Sequence, residues 1–520
     1  MKRIILLLVL TGTVNAELNL EWGSYLTLEH PAVGDQFQAD GPFGTRFGFA
    51  LASINDHLVI GATHYDAGGQ EDSGRIYYLK SASNGSIRPL EWVSGNGRYS
   101  QASVPGATPE AFDFFGASLA IVATGSNARK VLIGVPGESI GDIESGMFHE
   151  MFINSQGIDF LNYHQDTSGV QGIAQEDDDM GRAVAWGDFN NDGNWDAAIG
   201  VPGESFTGGP FKGVSRGGAV NVIMGGDDGI LDTGNDQIWT QSSLFIAGAA
   251  ASDEFFGQAL AVGDFDDDGR SDLAIGVPGD VVDGEEGAGS VNVIYGGSDG
   301  LGATGNQLWN QNSSGIDGVS EARDGFGYSL VVGDFNGDNT DDLAIGIPFE
   351  DVGSEISAGA VQIIYGQRDE GLVSTNSLII SQAEPGFMGA AEAFDNFGFS
   401  LAAGRFNNDG YDDLSIGAPG ESFTDVFGAG AVYIVHGSLG GLQFNDEYII
   451  SEADLSVPGG RRGGRFFGYV QTSSDFDNDG RDDLAINTGV LDKDTATQNV
   501  SAVIVAYHIN HDIIFNNGFD

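Results

Sequence analysis

A repeat governs what this chain can become. A Phe-Gly pair followed by a short apolar stretch recurs at Phe47-Gly48, Phe115-Gly116, Phe256-Gly257, Phe326-Gly327, Phe397-Gly398 and Phe467-Gly468, and Met180-Gly181 takes the remaining place. The steps run from 65 to 76 residues. Each unit carries a second landmark: "GAT" at Gly61, "GVP" at Gly134, Gly200 and Gly276, "GIP" at Gly346 and "GAP" at Gly417, with "NTG" at Asn487 as the departure. A third is an alternating strand, such as "AVNVIMG" at Ala219 or "AVYIVHG" at Ala431, and a more polar fourth follows in most units, as in "QIWTQ" at Gln237 and "QLWNQ" at Gln307.

One unit therefore reads as about four short strands joined by Gly-rich turns. No amphipathic helix is evident. A lone four-stranded sheet cannot bury both faces, whereas seven arranged radially bury each face against a neighbour. The 82 glycines suit tight turns and close sheet packing. The fold expected is all-β: one seven-bladed β-propeller of four-stranded antiparallel blades. The seventh unit lacks a clear fourth strand. "LNLEW", Leu18 to Trp22, is expected to complete it and to hide an open edge, with "DIIF", Asp512 to Phe515, as the competitor.

Residues 1–16 read as a signal peptide, leaving 17–520 as the single propeller. Lys2 and Arg3 precede a short apolar run, Ile4 to Leu10, and Val14-Asn15-Ala16 offers small residues for cleavage. A buried first strand is the alternative. The run is too short to span a bilayer. Secretion to an extracellular or periplasmic space follows. The formal net charge of -54 would repel nucleic acid and anionic membrane surfaces. With no cysteine, disulfides and thiolate chemistry are excluded.

The acidity is concentrated. "DFDDDGRSD" places Asp264, Asp266 and Asp268 at positions 1, 3 and 5 of a loop, Gly269 at 6 and Asp272 at 9, with the Arg270 carbonyl available at 7. Alternate acids in a tight turn converge on one centre, and calcium takes six to eight oxygens. The pattern repeats in register. "DFNNDGNWD" supplies Asp188, Asn190, Asp192, the Asn194 carbonyl and Asp196. "DFNGDNTDD" supplies Asp334, Asn336, Asp338, the Thr340 carbonyl and Asp342, and "DFDNDGRDD" supplies Asp475, Asp477, Asp479, the Arg481 carbonyl and Asp483. About four Ca2+ sites are expected, structural rather than catalytic. Solvated Asx turns are the bland alternative. A fifth copy begins with Arg405, whose guanidinium would stand in the cation's place.

The combined pattern, a Phe-Gly strand, a "GDFNxDGxxDLAIGxPG" segment and a "GAGAVYIVHG" strand, resembles the FG-GAP repeat of integrin alpha subunits and of glycosylphosphatidylinositol-specific phospholipase D, over about residues 47–510. The resemblance implies a seven-bladed propeller with calcium in its aspartate loops and protein contacts on the opposite face and rim. The reading expects a lone propeller, without the further sandwich domains, membrane helix or catalytic domain of those relatives.

Acids also follow each GxPG-like turn: Glu138, Glu204, Asp280, Glu350 and Glu421. They are read as turn caps, or else as a ring that binds a cation or a basic partner. Phe206, Phe211, Phe423 and Phe427 are read as blade packing or contact residues. No nucleophile or histidine recurs beside the loops, so no catalytic constellation is found. The reading is a secreted, calcium-binding propeller that binds a protein or glycan at a loop face in an adhesion-like role, without membrane insertion. Alternatives are a glycan-processing enzyme using the central channel and a structural component of an envelope or matrix.

Overall fold

The computed structural model describes residues 6–8, 25–29 and 47–506, other than 67–68, 81–90, 93–96, 126–127, 156, 207–212, 386, 388, 408, 424–425, 453, 455–462, 465 and 489–501. The chain forms seven antiparallel blades. Blade one contains Phe47–Ile54, His57–Ala62 and Arg75–Lys80, with the short strands Glu91–Trp92 and Arg98–Tyr99 both pairing on the third. Blade two is Leu119–Gly125, Ala128–Val135, Met147–Asn154 and Gly157–Tyr163. Blade three is Val184–Gly187, Asp196–Val201, Ala219–Gly225 and Leu231–Trp239, and blade four Ala259–Gly263, Asp272–Val277, Ser290–Gly297 and Gly300–Trp309. Blade five runs Ser329–Gly333, Asp342–Ile347, Ala360–Gln367 and Gly371–Ile380, and blade six Ser400–Gly404, Asp413–Ala418, Ala431–His436 and Gln443–Ile450.

Blade seven takes Gln471–Ser474, Asp483–Thr488 and Ala502–Ala506 from the end of the chain and Tyr25–Glu29 from its beginning. Tyr25 sits opposite Ala506 and Glu29 opposite Ala502. The segment expected there, Leu18–Trp22, and its competitor, Asp512–Phe515, lie outside the described residues. The closing strand is "YLTLE". Leu6–Leu8 runs parallel beside it.

Closure is visible in the packing. The first strand of every blade contacts the first strand of the next, from blade one round to blade seven and back. Seven apolar clusters occupy the seven interfaces. One joins Phe189, Val220 and Val222 of blade three to Phe256, Leu273 and Ile275 of blade four. Another joins Leu58, Ile60 and Tyr77 of blade one to Ala485, Val503 and Val505 of blade seven. The second strands, such as Asp272–Val277 and Asp342–Ile347, are buried along their whole length. That is why they read as apolar runs rather than alternating strands.

The two landmarks of the repeat meet across each interface. A Cβ on Gly276 would lie 2.2 Å from the Gly327 carbonyl oxygen of the next blade. The same clash arises at Gly61 with Gly116, Gly200 with Gly257, Gly346 with Gly398 and Gly417 with Gly468. Only glycine lets the two backbones approach this closely. At the closing interface Asn487 replaces that glycine, and its side-chain amide donates to the Gly48 carbonyl at 2.6 Å. The departure "NTG" thus marks a junction held by a side-chain hydrogen bond. The Phe of the Phe-Gly pair is fully buried at 115, 256, 326, 397 and 467, as is Met180. Each pairs through its backbone with a glycine before the third strand of the preceding blade, as Phe326 does with Gly289.

Candidate functional site

The aspartate loops join the first strand to the second in blades three, four, five and seven. All four have the same internal wiring. The position 1 carboxylate accepts the backbone N–H groups of positions 5 and 6: Asp264 Oδ1 takes Asp268 N at 3.0 Å, and Oδ2 takes Gly269 N at 2.9 Å. Asp188, Asp334 and Asp475 do the same in their loops. Position 3 and position 5 side chains accept N–H groups two residues on, as Asn336 does from Asp338 and Asp338 from Thr340. These are Asx-turn bonds, which bend the chain and leave lone pairs on the same oxygens.

Position 9 is different. Asp196, Asp272, Asp342 and Asp483 are buried. One oxygen of Asp272 accepts the Phe265 N–H at 2.8 Å, and the other accepts the Gly296 N–H of the third strand at 2.8 Å. Asp196 and Asp342 bond in the same way to Phe189 and Gly225, and to Phe335 and Gly366. This residue pins the loop to the sheet besides facing its neighbours. Burial pushes the Asp196 carboxyl up to about 7 and those of Asp272 and Asp342 to about 8, against the lowering effect of these bonds.

Carboxylate oxygens of Asp264, Asp266 and Asp268 lie within 4.8 Å of one another, as do those of Asp475, Asp477 and Asp483. Hard oxygen donors gathered this closely fit a calcium-like cation. The cationic side chains beside the blade-four loop are few. Arg270 turns back onto Asp268 at 2.5 Å, and Arg368 of blade five pairs with Asp267. In the fifth loop, Arg405 does not fill the loop's centre. Its Nε donates to Asp412 Oδ1 at 3.0 Å, while Asn407 donates to Asp409 at 2.9 Å and His436 sits 3.1 Å from Asp413.

Position 8 was not singled out by spacing. Its side chain reaches into the preceding blade and accepts the N–H of that blade's position 1: Asp341 takes Asp264 N at 2.8 Å, Asp412 takes Asp334 N at 3.0 Å and Asp482 takes Arg405 N at 2.8 Å. The position 8 N–H donates back to the carbonyl of the same residue. Ser271 does this for Asp188. Trp195, the position 8 residue of blade three, follows a blade without an aspartate loop. The signal was the residue just before the closing acid: Ser or Asp wherever a loop precedes, Trp where none does.

The acids after the GxPG turns are not an exposed ring. Glu138, Glu204, Asp280 and Glu421 are all buried. Each accepts from a glutamine in the exit loop of the preceding blade, Gln165 reaching Glu204 at 2.6 Å, Gln311 reaching Glu350 at 2.8 Å and Gln382 reaching Glu421 at 2.7 Å. Gln101 and Gln241 serve Glu138 and Asp280. Of these glutamines, Gln241 and Gln311 end the "QIWTQ" and "QLWNQ" segments read as fourth strands. Four of the five stand 39 residues before their acid, a constancy that could have revealed them. Phe423 packs in a core cluster, Phe427 is exposed and Phe206 bridges to Val214; Phe211 lies outside the described residues.

A model of the FG-GAP repeat matches residues 256–294, 326–364 and 397–435, which are blades four, five and six up to their third strands. The chain carries FG-GAP repeats. Among curated relatives it is 32% identical over 243 residues to integrin alpha pat-2 of Caenorhabditis briggsae, covering 45% of this chain and 18% of that one. It is 30% identical over 255 residues to integrin alpha-5 of Xenopus laevis (47% and 21%), and 34% identical over 165 residues to phosphatidylinositol-glycan-specific phospholipase D of Homo sapiens (31% and 18%). The matched segments span about a fifth of the length of these relatives. Among solved structures, rhamnogalacturonan lyase YesW aligns over 87% of this chain and 66% of its own, at a TM-score of 0.33 and 11% identity, too distant to bear on chemistry. No described helix is long and apolar enough to cross a membrane.

Proposed function

We propose that the chain is an extracellular, calcium-stabilised FG-GAP propeller that holds a protein or glycan partner on the face opposite its aspartate loops. The distribution of exposed apolar side chains carries this reading. Antiparallel blades put the connections between strands two and three, and between strand four and the next blade, at one end of the ring. Phe112, Ile173, Leu244, Phe245, Val319, Ile356, Phe394 and Phe427 are exposed there. At the aspartate end the exposed large apolar residues among those described are Ile230 and Leu439. Exposed apolar groups gathered at one end mark an interaction surface. Similarity to integrin alpha chains supports an adhesion-like role, and the leader-like residues 1–16 support export.

Calcium would be held by Asp188, Asn190, Asp192 and Asp196, by Asp264, Asp266, Asp268 and Asp272, by Asp334, Asn336, Asp338 and Asp342, and by Asp475, Asp477, Asp479 and Asp483, with the position 7 carbonyls. Each site occupied at one hundred times Kd adds about 2.7 kcal/mol to the folded state. Calorimetric titration should count about four sites, and chelation should lower the melting temperature.

The partner face is tested by a glycan array and a pull-down from secreted material with three proteins: wild type, Phe245→Asp/Phe427→Asp, and Leu439→Asp. Binding lost in the double variant alone supports the assignment. Binding indifferent to both, or turnover of a glycan, overturns it.

A further inference from the structure

Five blades hold a pair of carboxyl groups at the end away from the aspartate loops, all of them buried save the half-buried Glu350. One member lies two residues before the Phe-Gly or Met-Gly pair, at Asp113, Asp178, Glu254, Asp324 and Asp395; the other follows the GxPG-like turn, at Glu138, Glu204, Asp280, Glu350 and Glu421. A backbone bond clasps them side by side. The residue before the second acid donates its N–H to the carbonyl of the first: Gly203 to Asp178 at 3.0 Å, Gly279 to Glu254 at 3.1 Å, Gly420 to Asp395 at 3.0 Å, and likewise Gly137 to Asp113 and Phe349 to Asp324.

The polar inventory of each cluster is short of a hydrogen. In blade three, Asp178 Oδ2 accepts the Gln175 N–H at 2.6 Å, and Glu204 accepts amide hydrogens of Gln165 and Gln175. Asp178 Oδ1 and Gln165 Oε1 are buried with no donor. Blade two repeats this with Asp113 Oδ1 and Gln101 Oε1, and blade six with Asp395 Oδ1 and Gln382 Oε1. In blades four and five the orphan is the oxygen of Gln241 or Gln311. These residues are at most 3% exposed. Two carboxylates and an amide oxygen can only accept, and a buried acceptor without a donor is costly.

We infer that each pair keeps one proton at neutral pH, shared between its two carboxyls, and that the five protons make the blade interfaces tighten in mild acid and loosen in alkali.

The charged neighbours would not supply the missing cation, for they are acids: Glu110 and Glu144 beside blade two's pair, Asp177 and Asp179 in blade three, Glu285, Glu321 and Asp351 in blade five and Glu392 in blade six. In blade four each carboxyl faces the other, with Ser290 donating to Asp280. Tyr433 donates to Glu421 at 2.8 Å. Burial, with these like charges, raises Asp113 to about 6, Glu138, Glu204, Glu254, Asp324, Glu350 and Asp395 to about 7, and Asp178 to about 8. The seventh unit is different in sequence at the corresponding positions, with Glu452 in place of the glutamine and Arg465 in place of the first acid.

The sign follows from linkage. Unfolded carboxyls ionise near pH 4, whereas the folded pairs hold their proton to about pH 7–8, so stability falls as pH rises across that window. Melting in saturating calcium, which ties up the loop acids, should show a melting temperature about 5–10 °C lower at pH 8.5 than at pH 5.5. Asp178→Asn with Asp395→Asn places an amide hydrogen where two orphan oxygens stand. The double variant should match wild type at pH 5.5, exceed it at pH 8.5 and lose about two fifths of the pH dependence. Infrared spectra of the wild type should show a protonated-carboxyl C=O band at pH 6 that fades by pH 9. A flat melting profile, the absence of that band, or asparagine variants weakened at pH 8.5, as expected if the charges hold a metal ion, would each overturn the inference.

Discussion

The close approach between blades four and five offers a sharp perturbation: Gly276→Ala. The new methyl would sit 2.2 Å from the Gly327 oxygen, 3.1 Å from Ala259 Cβ and 3.2 Å from the Gly327 carbonyl carbon, where ordinary contact begins at 3.4 Å. Two of the three opposing atoms are backbone, fixed by strand pairing, so no rotamer change relieves the clash. The blades must separate by about an ångström or the second strand must bend. Overpacking of this kind costs about 3 kcal/mol. The matched control is Gly125→Ala, where the methyl meets nothing within 4 Å. It should be neutral or slightly stabilising through the unfolded state. Unfolding entropy of about 2.1 cal/mol/K per residue makes the melting shift of a ring this size only about 3 °C. Denaturant titration at fixed calcium is therefore the better assay, read as a lower midpoint at unchanged slope. Equal midpoints for the two variants would refute the account of why the repeat requires its glycines.

Other substitutions separate structural from ligand roles. Asp342→Ala removes a buried acceptor of two backbone N–H groups and should cost about 2–4 kcal/mol even in chelator, whereas Asp338→Ala should be nearly silent in chelator and abolish one calorimetric calcium site. Phe326→Ala opens a cavity at a blade interface and should cost about 3–5 kcal/mol by denaturant titration. Asn487→Ala, which deletes the side-chain bond to Gly48, should cost about 1 kcal/mol, and a midpoint equal to wild type would dismiss that bond.

Most of the ring was legible in the sequence because its repeat is stated in residues that physics leaves little choice about. Phe-Gly and GxP recur since the phenylalanine fills an interface and the two glycines touch across it. The aspartate loops were legible in outline because charge at alternate positions has few other uses. What escaped were residues acting across a blade boundary. Position 8 and the exit-loop glutamines look like ordinary polar loop residues within their own unit. Their partners lie 37 to 83 residues away, so spacing within a single unit does not reveal them, although the 39-residue step recurs from unit to unit. The closing strand was expected from the N-terminal segment at Leu18–Trp22, whereas Tyr25–Glu29 is the strand seen beside Ala502–Ala506; a five-residue alternation is too common in any chain to fix the exact stretch.

Blade seven is sewn from both ends of the described chain, and this sets the order in which the molecule can be finished. Six blades take all their strands from contiguous sequence and can assemble as they leave the ribosome or a translocation channel. Tyr25–Glu29 must wait for Ala502–Ala506, its only antiparallel neighbour, to be made. Until then an almost complete horseshoe carries a vacant berth for one strand. A truncation between Thr488 and Ala502 would remove the third strand of blade seven and leave that horseshoe permanently ajar, free to recruit a β-segment from another molecule.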